Sequence, residues 1–254
     1  MRTVQRTSEP RRNRQDGFTI IELMIALLIG LFLAGGLLTL VQDNRRVFGN
    51  QNQLAQLQDS ERLALSMMTD VIQMAGYFPD PTSNSAQSTM LATTATTPAM
   101  VAGQALTGAS STSVQGDSIT VRYTTSGSDG ILTCTGTSNT GAIFTYINTF
   151  SVVKNAAGVS QLVCTREDGV QYPLVNGVEN LSVMYGVNTT GSGNNVDSYQ
   201  TAAQVAAASN WSNVISVQIA LTFANPLYVA AAPQGQPATI VLQRNIAVMN
   251  QTGL

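Results

Sequence analysis

The sequence predicts an α+β fold: a long N-terminal α-helix, apolar in its first half and amphipathic in its second, packed on a mostly antiparallel β-sheet domain. Three observations predict it. An apolar run from Phe18 to Val41 is broken by one acid, Glu22. The stretch from Gln42 to Ala75 has no proline and one glycine, Gly49, and its apolar residues recur at three- and four-residue steps. From Asp117 onward, short runs of β-branched and aromatic residues alternate with polar ones between turn clusters.

The chain begins with a polar leader, Met1 to Gly17. It carries Arg2, Arg6, Arg11, Arg12 and Arg14 against Glu9 and Asp16. It lacks the apolar core and small-residue cleavage site of a secretory signal. The positive-inside rule keeps it cytoplasmic.

Phe18 to Val41 is long enough to cross the ~30 Å hydrocarbon core as a helix. A carboxylate in such a helix costs roughly 2.5–3.5 kcal/mol at mid-bilayer and less towards the interface, so Glu22 needs a compensating partner. Gly30, Gly35 and Gly36 let neighbouring helices approach closely. They are also where the helix would unwind most easily, since no proline occurs between Gly17 and Pro79.

The helix is expected to continue beyond the membrane. Leu54, Leu57, Ala64, Leu65, Met68, Val71, Ile72 and Ala75 form one apolar stripe, suited to lie against the sheet. Gly76 is the expected stop, with Pro79 and Pro81 beyond it. A helix from Phe18 to Ala75 would be about 85–90 Å long at 1.5 Å per residue.

Residues 82–116 carry no charge and are rich in Thr, Ser, Ala and Gly, which predicts a long loop or a partly ordered excursion. Strands are expected at 118–124, 131–135, 143–153, 161–166, 177–187, 214–223 and 239–249. Turns separate them at 126–130 and at Asn155-Ala156-Ala157-Gly158. The segments are therefore a leader (1–17), a transmembrane half-helix (18–41), an amphipathic half-helix (42–76), a loop region (77–116) and a β-rich domain (117–254).

Composition narrows the function. Charged residues make up 10% of the 254, against roughly 25% in ordinary soluble domains. That suits an exported or surface-exposed protein. There is no His, and Lys154 is the one Lys. Ser-His-Asp and Cys-His catalysis and His-ligated zinc are excluded. A Ser-Lys dyad would have to use Lys154, and no catalytic residue is assigned.

The formal net charge is −2; five of the 12 basic and two of the 14 acidic residues lie in the leader, so the rest carries 7 and 12, or −5. That gives no electrostatic case for binding nucleic acid. Cys134 and Cys164 are too far apart for a redox pair, and in an exported chain they predict a structural disulfide. The loop 188–199 offers Asn188, Asn194 and Asn195 but one acid, Asp197. Calcium sites gather several carboxylates, so a plain Asn/Gly turn is expected and no metal is assigned.

The octapeptide Gly17-Phe18-Thr19-Ile20-Ile21-Glu22-Leu23-Met24 resembles the processing site of type IV prepilins. The resemblance implies cleavage after Gly17 by prepilin peptidase and N-methylation of the new terminus, Phe18. It also implies that Glu22 meets the N-terminal amine of a neighbouring subunit. Arg62-Leu63-Ala64-Leu65, followed by Asp70-Val71-Ile72-Gln73-Met74-Ala75-Gly76-Tyr77, resembles the PilW family of minor pilins. So do Val175 to Val187 and Val241-Leu242-Gln243-Arg244-Asn245. Many relatives place a Cys just after the first motif; here the residues are Phe78-Pro79-Asp80, so no disulfide ties that corner.

The resemblance implies a pilin-like fold and a structural role in initiating or capping type IV pilus assembly, with no cofactor. Implied partners are prepilin peptidase, other minor pilins, the major pilin and the inner-membrane assembly platform. The implied location is the inner membrane, single-pass with a periplasmic C-terminal domain, and then the pilus. Two alternatives stay open: a type II secretion pseudopilin, and a pilus-tip adhesin or DNA-uptake module binding through the Thr/Ser-rich loop.

Overall fold

The computed structural model describes residues 17–94, 96, 98–127, 129–190, 195–231 and 235–249. The leader with its five arginines, Ser128 of the 126–130 turn and Asn194 lie outside the described residues. The chain divides into two compact units, 1–52 and 53–254.

The first unit contributes one element, the opening part of helix α1 (Ile20–Gln73). Every side chain from Phe18 to Val41 is exposed. Among the described residues this is the one helix long and apolar enough to cross a membrane. It runs unbroken through Gly30, Gly35, Gly36 and Gly49. A lone glycine costs roughly 1 kcal/mol in a helix, which a long run of intact i→i−4 bonds on either side absorbs.

The second unit holds the last turns of α1 and two antiparallel sheets. The first sheet has the order β1-β2-β3-β4-β5: Leu106–Ala109, Ser118–Thr125, Phe144–Lys154, Ser160–Thr165 and Gln171–Asn176. The second has the order β7-β6-β8-β9: Ser198–Gln200, Val178–Val187, Val214–Ala224 and Thr239–Ala247. Two short helices, α2 (Ala86–Thr89) and α3 (Ala202–Ala207), each start with a capping box, at Ser85 and Thr201.

Ala64, Met68, Val71, Ile72 and Ala75 are buried in one core with the inward residues of both sheets, such as Phe150, Leu181, Ile219 and Phe223. The apolar stripe therefore packs as its spacing predicts. The helix ends two residues early, at Gln73. Gly76 then adopts a left-handed φ of 79° and its N–H donates to the Arg122 carbonyl, which turns the chain onto β2. The turn at 155–158 also forms as expected. Asn155 Oδ1 accepts from the N–H groups of Ala157 and Val159, and Gly158 takes the positive φ.

Two expectations differ from the structure. Residues 131–135 are not a strand; they make one isolated bridge, Leu132 to Ser138, because Cys134 is drawn into the core. Strands β5 and β7 were not expected, being short and broken by Pro173 and by an Asn/Gly-rich turn.

The uncharged 82–116 segment, expected as a long loop or a partly ordered excursion, holds regular elements among its described residues, which are all but 95 and 97. It contains α2 and β1, and Met90, Met100 and Leu106 are buried. It covers the second face of β2, where Thr120, Arg122 and Thr124 are buried. Arg122 donates to three main-chain carbonyls there, those of Gln104, Leu91 and Val101, at 2.8, 2.6 and 2.7 Å. A segment free of charges can pack on a sheet, and one guanidinium satisfies the carbonyls it leaves without partners.

Candidate functional site: the processing junction and the first turn of α1

Gly17 and Phe18 precede the helix, without regular structure and fully open to solvent. Phe18 is 89% exposed, and nothing lies within 4 Å of where a Gly17 side chain would begin. The peptide bond between them is therefore accessible to an enzyme.

Thr19 fixes where the helix starts. Its N–H and its hydroxyl both donate to Glu22 Oε2 at 3.0 Å, and its Oγ1 accepts from the Glu22 N–H at 3.4 Å. This is a reciprocal capping box in which Thr19 caps and Glu22 is the third helical residue. The box satisfies two of the amides that every helix start leaves without partners. The Thr-x-x-Glu spacing is visible in the sequence, but Glu22 is read there as a membrane charge that meets a neighbour's amine and not as a cap. The cap places Gly17–Phe18 outside the helix. It occupies part of the Glu22 carboxylate; a carboxylate has about four acceptor positions, so room remains for an ammonium.

Cys134 and Cys164 form the expected disulfide, with Cα atoms 6.4 Å apart. It joins the 131–138 segment to β4. Around it, Tyr123 OH donates to the Leu132 carbonyl at 2.8 Å and accepts from Asn148 Nδ2 at 3.2 Å. Asn148 Oδ1 accepts from the Cys134 N–H at 3.3 Å. Burial raises the Tyr123 pKa, so its hydroxyl stays a neutral donor.

The remaining candidates do not converge. Lys154 ends β3, exposed, across from Ser160. Ser160 donates instead to Glu179 Oε2 at 3.1 Å, so no activated nucleophile forms there. Asp197 Oδ2 accepts from the N–H groups of Thr190 and Thr189 and from the Thr189 hydroxyl, bonds that lower its pKa and tie it to residues 189 and 190. Among the described residues no group of three or more His, Cys, Asp or Glu is placed to hold a metal.

Two family comparisons bear on these observations. Residues 149–253 match Type IV Pilus-assembly protein W, and residues 12–38 match the Prokaryotic N-terminal methylation motif. The first match covers less than half of the chain and includes the stretches at 175–187 and 241–245; the motif at 62–77 lies outside it. No curated protein and no solved structure matches the chain. The methylation motif brackets the exposed Gly17–Phe18 bond and its cap. With the C-terminal match in the β domain, it makes the chain similar to the PilW-type minor pilins of type IV pili.

Proposed function

We propose that this protein is a structural subunit that helps initiate or cap a type IV pilus. The observation that carries the reading is the pairing of two matches on one chain. A prepilin-type N-terminus surrounds an open Gly17–Phe18 bond, and a PilW-like segment forms much of the β domain. Prepilin peptidase cuts after Gly17 and methylates Phe18. The subunit waits in the inner membrane on α1, with its C-terminal unit in the periplasm.

Glu22 then accepts the Phe18 amine of a neighbouring subunit, since a carboxylate buried in lipid needs a cation and this one is close at hand. Its partners are the other minor pilins, the major pilin and the assembly platform. The chain acts by packing, with no catalytic role. Losing one member of a small initiation complex raises the barrier to starting a fibre, rather than weakening a finished one.

A deletion strain tests this. Few or no surface pili and poor twitching are expected, with partial return of fibres when retraction is blocked and unchanged export of hydrolases. Blocked enzyme secretion with intact pili would instead identify a type II secretion pseudopilin.

A further inference from the structure

The two sheets have four edges, and three are closed to further pairing. β1 is four residues long and β7 three. β5 contains Pro173 and pairs with β4 across a register shift at Leu162/Val163. Shortness, proline and bulges are the devices that blunt an edge strand. β9 has none of these three, and carries a single charge, Arg244. It pairs with β8 over nine residues, Thr239 to Ala247, with no shift. On its other side no strand pairs with it among the described residues.

The side chains of β9 are also left uncovered. Val217, Ile219, Leu221 and Phe223 of β8 are fully buried. Their register partners on β9 are Ile246, Arg244, Leu242 and Ile240. Of these Ile246 is buried, Leu242 and Ile240 are half-buried, and Arg244 is exposed. The layer that seals β8 therefore thins out at β9. On the opposite face Val241 is 60% exposed. Arg244 makes no ion pair among the described residues.

We propose that β9 is a docking edge that receives an extended strand from a different pilin subunit, making the four-stranded sheet five-stranded, with a carboxylate of that strand meeting Arg244. This rests on the reading of the chain as a minor pilin that assembles with others. Main-chain hydrogen bonds supply the affinity, and alternate side chains set the register. Ile240, Val241 and Leu242 offer the apolar part of the contact. Arg244 is the one charge on the strand, so complementarity selects an acidic residue opposite it. A second copy of β9 fits poorly. Two-fold pairing centred on the strand with the core faces on one side sets two Arg244 side chains opposite or diagonal, and like charges there repel.

The test uses the full-length chain in cells that assemble the pilus. A photo-crosslinking residue, p-benzoylphenylalanine, replaces Gln243 on β9 or, as a control, Gln171 on β5; both positions are exposed. The expected result is an adduct from position 243 whose partner is another pilin, and none from position 171. Val241→Lys and Arg244→Glu are each expected to cut that adduct about tenfold, a change of roughly 1.4 kcal/mol, and Arg244→Lys to keep it. Retention of the Cys134–Cys164 bond in each variant shows that the fold is intact. No adduct at 243, equal adducts at both positions, an adduct of this chain with itself, or an adduct indifferent to both substitutions overturns the proposal. Normal pili in Val241→Lys, beside lost pili in the deletion strain, would reject the strand docking and leave the pilus role standing. Normal pili in the deletion strain would reject the pilus role itself.

Discussion

Arg122 Nη1 donates to the carbonyl oxygen of Leu91 at 2.6 Å, tying together two positions 31 residues apart. Arg122 is 1% exposed, and the acceptors of its guanidinium are main-chain carbonyls rather than a carboxylate. Burial lowers its pKa from the ordinary value, yet Arg is charged throughout the physiological range. A planar fork that reaches three carbonyls at once is what lets an uncharged segment settle on β2.

Arg122→Met is expected to destabilise the β domain by about 3 kcal/mol, because three main-chain carbonyls lose a charged donor. Thermal unfolding measures the loss. Limited proteolysis is expected to cut within 91–104 in the variant and to spare it in the parent. Equal protection in both would show that the buried methionines alone hold the segment.

The disulfide closes a loop spanning 30 residues. Replacing Cys134 and Cys164 with Ser is expected to cost roughly 3–4 kcal/mol in the chain-entropy account. Denaturant titration reads this directly. Peptide mapping without reduction should show the Cys134 and Cys164 peptides joined; two freely alkylated thiols in exported protein would reject the bond.

Glu61 on α1 is buried, and its Oε1 has no hydrogen-bond partner among the described residues. Desolvation raises its pKa above the unfolded value. The sign follows: ionisation costs stability, the cost is absent below the unfolded value of about 4.3, and it grows as pH rises through the folded value. Glu61→Gln is expected to add roughly 1 kcal/mol near neutral pH, or about 2–4 °C in Tm, and nothing near pH 4. A gain that is the same at both pH values would mean that charge is not its source.

Cleavage between Gly17 and Phe18 predicts a mature chain starting at Phe18. Intact mass from membranes of hosts with and without prepilin peptidase decides it, and an unchanged full-length mass in both would refute the assignment.

The Thr19–Glu22 cap separates two roles for one acid. Thr19→Ala is expected to weaken the first turn by about 1 kcal/mol while leaving the carboxylate in place. Glu22→Leu removes both the cap and the charge. If Glu22 serves the Phe18 amine of a neighbour, Glu22→Leu keeps insertion and cleavage but loses co-purification with the other minor pilins, and Thr19→Ala keeps it. Equal loss in the two variants would assign the effect to the cap.

The sequence by itself determined the elements whose signal is local. The apolar run after Gly17, the stripe from Ala64 to Ala75, the Asn155–Gly158 turn and the alternation in β2, β3, β6 and β8 each state their periodicity within a dozen residues. The pairing of Cys134 with Cys164 needed only that there be two cysteines in an exported chain. The tertiary structure decided what depends on partners distant in sequence. Residues 82–116 look like a loop because their composition lacks charge and periodicity, and Arg122 on β2 holds the main chain at Leu91, Val101 and Gln104 from outside the segment. Residues 131–135 have strand composition, yet the disulfide and Asn148 take Cys134 into the core before a ladder can form. The bareness of β9 is also invisible in sequence. Ile240, Leu242 and Ile246 repeat the apolar positions of β8 with Arg244 as the one exception, and only the packing shows that the covering layer seals one strand and stops at the next, because burial belongs to the neighbours a residue acquires and not to the residue itself.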